Sequence, residues 1–207
     1  TPAIALDQTI NELSHMLQVA RKMVKSANEG LFTDDKKWAK FGKREDMVDS
    51  LREDVIGYLV QLTQRPLSEH ESIIIPKLIH AVNDIERIGD LSENIMEQAI
   101  HCRENRIRFT APGRHDLERM HSEIEKMIEL TLAALKTFDV KKAQLVLDQE
   151  AVINELEKKM RNAQIKRVNE GHSKIPAGIS FLDIITNLER IGDHLTNIAD
   201  AVIYSHQ

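Results

Sequence analysis

The chain has 207 residues, 42% of them apolar and 29% charged, with a net charge of −5. That balance excludes a disordered chain, and no apolar run reaches the roughly 18 residues of a membrane span. The acid excess argues against nucleic acid as a partner, and the single cysteine, Cys102, excludes an intrachain disulfide or a multi-cysteine metal site.

A reducing compartment follows as the default. The chain opens at Thr1-Pro2 without a methionine, which reads as an excised or processed piece of a longer protein. The first helix is predicted from Leu6, Ile10, Leu13, Leu17, Ala20, Val24, Ala27 and Leu31, which alternate spacings of four and three and so share one face. Pro2 suits its first turn and Gly30 a C-cap.

A second helix carries Val48, Leu51, Val55, Tyr58 and Leu62 and stops at Arg65-Pro66. Ser68 and Glu71 form the spacing of a capping box for a third. Pro76 should kink that helix or mark its effective start. Its core face is Leu78, Ala81, Ile85, Ile88, Ser92, Ile95 and Ala99.

The pattern breaks between Asn105 and Arg114, at Thr110-Ala111-Pro112-Gly113, which reads as a connection between two units. A fourth helix follows through Leu117, Met120, Ile124, Met127, Thr131, Ala134 and Phe138. A fifth carries Ile153, Leu156, Met160 and Ala163 and ends near Gly171. Ser173 to Gly178, with Pro176, reads as a turn. The sixth carries Phe181, Ile184, Leu188, Ile191, Leu195, Ile198 and Val202.

The two halves repeat. An offset of 107 places Ile10 on Leu117, 105 places Val48 on Ile153, and 103 places Ile85 on Leu188. Between 86–95 and 189–198 seven of ten positions are identical. The expected fold is all-α: two tandem three-helix bundles, 1–109 and 110–207, built from six long antiparallel helices.

Each third helix carries a polar stripe: Glu86, Asp90 and Asn94, then Glu189, Asp193 and Asn197. Spacing by four stacks these side chains, and like charges so placed repel by a few tenths of a kcal/mol. A cation would offset that cost. The second helix offers Glu45 and Asp49, then Glu53, and the fifth offers Glu150 and Asn154. Oxygen ligands from adjacent helices suit hard or borderline divalent metals, while an acidic solvated face would show the same spacing. Gly89 and Gly192 would permit close helix approach there.

Arg87 and Arg190 either orient the glutamates or lie over the core edge with their heads in water. His194 is a candidate added ligand, His80 and His101 weaker ones, and Cys102 a small buried residue. Glu12-x-x-His15 and Glu118-x-x-His121 match an element of di-iron bundle proteins. They fail the repeat register, because the offset of 107 puts His15 on Ser122. No Ser-His-Asp set, phosphate-binding glycine loop or nucleotide motif is present.

The doubled Glu-Arg-Ile-Gly-Asp motif at 86–90 and 189–193, each followed by Asn-Ile, strongly resembles the signature of the PhoU family. The opening Thr-Pro-Ala-Ile-Ala-Leu-Asp-Gln resembles the junction into the cytosolic PhoU-like domain of bacterial sodium/phosphate cotransporters. The resemblance implies metal clusters of iron, zinc, manganese or magnesium. It implies Glu45, Asp49, Glu86 and Asp90 as the first ligand set, and Glu150, Glu189 and Asp193 as the second. Asn154 stands where an acid is expected, so the second site should bind more weakly. It further implies a regulatory part in phosphate uptake, not catalysis, on the cytoplasmic side of the inner membrane, with a membrane transporter domain of the same parent chain as partner and a homodimer as a further assembly. A di-iron oxidase and a metal-free structural adaptor are the alternative readings.

Overall fold

A computed structural model describes residues 2–33 and 38–204, with the side chains of 2–5, 38 and 39 left aside. Helix α1 spans Pro2–Gly30, α2 Trp38–Thr63, α3 Glu69–Glu104, α4 Ala111–Thr137, α5 Val140–Asn169 and α6 Ile175–Tyr204. No strand occurs among the described residues. The all-α expectation holds.

Within α1–α3 every helix touches the other two, and the same is true within α4–α6. Between the halves α3 packs on α6 and α1 on α4, whereas α2 and α5 touch only helices of their own half. The four inner helices therefore join the halves, and α2 and α5 lie on the flanks. One apolar cluster runs through both halves, from Leu13 and Leu17 to Ile198 and Val202. Each such fully buried Leu, Ile or Val contributes roughly 1.5–3 kcal/mol.

The caps explain where the helices start. Ser68 accepts from Glu71 N at 3.2 Å and Glu71 Oε2 accepts from Ser68 N at 2.7 Å, so the predicted capping box exists. Thr110 accepts from Gly113 N, with Ala111 and Pro112 in the first turn of α4. The stretch read as a break is thus a helix start, since proline suits that turn. Likewise Ile175–Gly178, read as part of a turn, already belongs to α6.

Four further expectations are corrected. Pro76 does not mark the start of α3, which begins at Glu69 and runs through it. It sits on an exposed turn, where water can take the carbonyl that a proline leaves without a donor. In α2 the buried residue is Leu59, and Tyr58 is 37% exposed, because the core face steps by four after Val55. In α5 Ala163 is exposed and Gln164 is buried instead. Its Nε2 donates to Ser173 Oγ at 3.0 Å and its Oε1 accepts from Arg167 at 2.8 Å, which satisfies the buried amide. Gly30 is not a left-handed cap; Arg106, Phe138 and Gly171 hold the positive φ angles, at 54°, 47° and 74°.

Candidate functional site

The carboxylates lie on the flank of each half, where α2 meets α3 and α5 meets α6. In the first half Glu45 and Asp49 come from α2, Glu86 and Asp90 from α3. Glu86 is only 22% exposed, Asp90 42%. Glu86 is held above the usual carboxylate range, first by burial and then by the Asp90 charge, with Arg87 and Arg52 opposing and Asp49 adding. Glu45 is likewise raised by burial, then by the Glu93 charge and the hydrogen bond it shares with Glu93, then by Asp49 and Asp46. Asp49 acts on both glutamates, which places all four predicted residues in one electrostatic cluster.

The second half repeats this. Glu189 is raised by burial, then by Asp193 and Glu157, with Arg190 opposing and Glu150 adding. Glu150 is raised by burial, then by Asp193, with Asp200 adding. Thr196 opposes that rise through its hydrogen bond to Glu150. Asn154, one turn beyond Glu150, buries its Oδ1 without a hydrogen-bond partner. Such an orphaned acceptor costs free energy unless something else meets it. The donor set is therefore rich in oxygen, with Arg87, Arg52 and Arg190 offsetting part of its charge. As the side chains stand, no three His, Cys, Asp or Glu among the described residues close around a single ion.

Several predicted members lie elsewhere. Asn94 and Asn197 leave the stripe for the α3–α6 contact. Asn94 Nδ2 donates to Asn187 Oδ1 at 3.4 Å and Asn197 Nδ2 to Asp84 Oδ1 at 3.1 Å. Eight residues along a helix drift by about 80° from the starting face, so the third member of an i, i+4, i+8 row points away. His194 is bonded to α3; its Nδ1 sits 2.7 Å from Asp84 Oδ1. Arg87 bonds Asp90 at 3.2 Å and lies 3.9 Å from Glu86, so it orients the carboxylates while largely solvated. Gly89 and Gly192 face the core, towards Met23 and Ile153, not the carboxylates.

Glu93, Glu157 and Asp200 belong to the clusters and were not anticipated. Glu93 stands three residues after Asp90, a spacing that would have found it. The two Glu-x-x-His elements hold nothing together: Glu12 and His15 form an exposed pair at 3.8 Å, and Glu118 bonds Arg114 at 3.1 Å. Burial lowers His121, whose charged neighbours are Glu125, Glu29 and Lys25.

A family model described as "PhoU domain" matches twice, over residues 13–99 and 117–202. A phosphate-specific transport system accessory protein PhoU homolog of Thermotoga maritima is 31% identical over 197 residues, covering 94% of this chain and 84% of the relative. The homolog of Clostridium acetobutylicum is 27% identical, covering 96% and 91%. The crystal structure of PhoU from Pseudomonas aeruginosa superposes with a TM-score of 0.91 at 22% identity, over 100% of this chain and 99% of that one. At that identity the likeness concerns the fold.

Proposed function

Because the chain belongs to the PhoU family, we propose that it is a regulatory accessory component of phosphate transport whose two carboxylate clusters bind metal ions. The family is one of accessory proteins, not of enzymes. The observation that carries the proposal is the duplicated acidic motif, set within both matched stretches, whose own glutamates, Glu86 and Glu189, are left poorly stabilised by burial.

Glu45, Asp49, Glu86 and Asp90 would hold one site, and Glu150, Asn154, Glu189 and Asp193 the other. A bound cation would neutralise the mutual repulsion of these groups and tie each flanking helix to its neighbour. Iron, zinc, manganese and magnesium remain the candidates, the oxygen-only donor set favouring the harder ions. Partners would be components of a phosphate transport system on the cytoplasmic side, and a second copy of the chain. No helix among the described residues is long and apolar enough to cross a membrane.

The finer expectation, a domain of a sodium/phosphate cotransporter, draws on the opening octet alone, which lies at the edge of the described residues. Relatives matched over most of their length carry the accessory name, so the accessory role is the reading preferred. The test is uptake of labelled phosphate by cells lacking this protein. Disturbed uptake, restored by the parent chain but not by a variant with Glu86→Ala and Glu189→Ala, supports the proposal. Uptake that ignores the protein overturns it.

A further inference from the structure

At one end of the bundle, where α3 hands over to α4, the acidic character of the chain reverses. Residues 103–114 contain four arginines, Arg103, Arg106, Arg108 and Arg114, and one acid, Glu104. All four arginines line a single pocket of about 290 Å3, closed on the other side by the end of α1 at Gly30–Thr33. Ala99 and the buried Cys102 lie at its wall.

The arginines divide into two pairs. Arg103 and Arg114 are anchored: Arg103 donates to Thr33 O at 3.4 Å, and Arg114 stacks 4.6 Å from the centre of the Phe32 ring while its Nε donates to Glu118. Arg106 and Arg108 have no carboxylate partner among the described residues. Elsewhere arginines that share a cluster with acids do bond them, as Arg21 bonds Glu125 and Glu129, Arg161 bonds Glu157 and Arg167 bonds Asp116. Arg106 and Arg108 are exposed and bring to the pocket two charges that no described carboxylate offsets, so an anion placed there would be attracted.

The backbone points the same way. Arg106 occupies the left-handed position that ends α3, φ 54°, with its N–H bonded to Arg103 O and Ile107 N–H to Cys102 O. Glycine is the residue that suits this position. An arginine held there accepts backbone strain, and Arg106 is exposed and lines the pocket.

We propose that this pocket binds a phosphate group through the forks of Arg106, Arg108 and Arg114. Guanidinium is planar and matches two oxygens of a phosphate at once, and it is weakly hydrated compared with an ammonium. The volume holds a free phosphate with room beside it, so the phosphate end of a mononucleotide fits the same chemistry. The site shares no residue with either carboxylate cluster and does not rest on the transport role.

Calorimetric titration of the full chain tests this, in chelator so that no metal can capture the anion. Sodium phosphate and adenosine monophosphate are the two probes, and Arg106→Gly, Arg108→Ala and the exposed control Arg65→Ala are the variants. The expected result is saturable binding of at least one probe, weakened tenfold or more by Arg106→Gly and by Arg108→Ala and unchanged by Arg65→Ala. Equal affinity for both probes identifies the phosphate group alone as the ligand; preference for the monophosphate identifies an ester. Glycine relieves the positive φ, so Arg106→Gly should melt no lower than the parent, and lost binding cannot be attributed to unfolding. No binding of either probe, or full binding by Arg106→Gly, overturns the proposal.

Discussion

His194 of α6 holds Asp84 of α3 at 2.7 Å, across the contact that joins the two repeats. The offset of 103 maps Asp84 onto Asn187 and Asn94 onto Asn197. The same contact therefore occurs twice about a pseudo-twofold axis, once as Asn197 to Asp84 at 3.1 Å and once as Asn94 to Asn187 at 3.4 Å. Only one side has a carboxylate and an imidazole, because the counterpart of His194 is Leu91.

The pair should hold the repeats together measurably. A double-mutant cycle with Asp84→Asn and His194→Leu, read by urea unfolding, should give a coupling of about 1 kcal/mol. Strict additivity would show that the bond contributes nothing to stability.

Two glycines should respond in opposite directions. A Cβ on Gly89 meets Met23 and Val48 at 3.7–3.8 Å, ordinary contact. Gly89→Ala should therefore stabilise the chain by up to about 1 kcal/mol through helix propensity. A Cβ on Gly178 meets Val168 Cγ2 at 2.7 Å, where α6 starts against α5. Gly178→Ala should cost about 1–3 kcal/mol, as overpacking does. Thermal unfolding of the two variants decides both, and a stabilised Gly178→Ala would contradict the packing described.

The raised glutamates set a pH dependence. Glu86 and Glu189 bind a proton more readily in the folded chain than in the unfolded one, whose value is near 4.5. Between that value and the raised one the folded state holds more protons, so their contribution to stability falls as pH rises. In metal-free protein at pH 7.5, Glu86→Gln with Glu189→Gln should stabilise the chain by about a few tenths of a kcal/mol per removed like-charge pair, read as a raised melting temperature. The advantage should vanish as pH falls towards about 4.5. A variant less stable than the parent at pH 7.5 would mean that the ionised glutamates are stabilising.

Much of this was legible in the sequence, for identifiable reasons. The core faces of α3 and α6 follow one helical period without exception, and the Ser68–Glu71 box is a local signal. The carboxylate clusters were legible because they are duplicated. Glu93 and Glu157 escaped because they are not: they map onto Thr196 and Arg52. Tyr58 and Ala163 were misplaced by one residue because either neighbour continues a spacing of three or four, and only packing selects between them. The arginine pocket forms when 30–33 meets 103–114, an encounter that no periodicity announces.

The central claim is that Glu45, Asp49, Glu86 and Asp90 bind metal, and that their counterparts do so more weakly because Asn154 replaces an acid. Ligand charge count is one lever on affinity at oxygen sites. Asp49→Asn and Asn154→Asp change charge with almost no change of shape. The measurement is a titration of metal-free parent and of both variants with manganese and zinc, followed by calorimetry. The account predicts two classes of site in the parent, a weaker first site in Asp49→Asn and a tighter second site in Asn154→Asp. Three identical curves, or no binding at all, would contradict it.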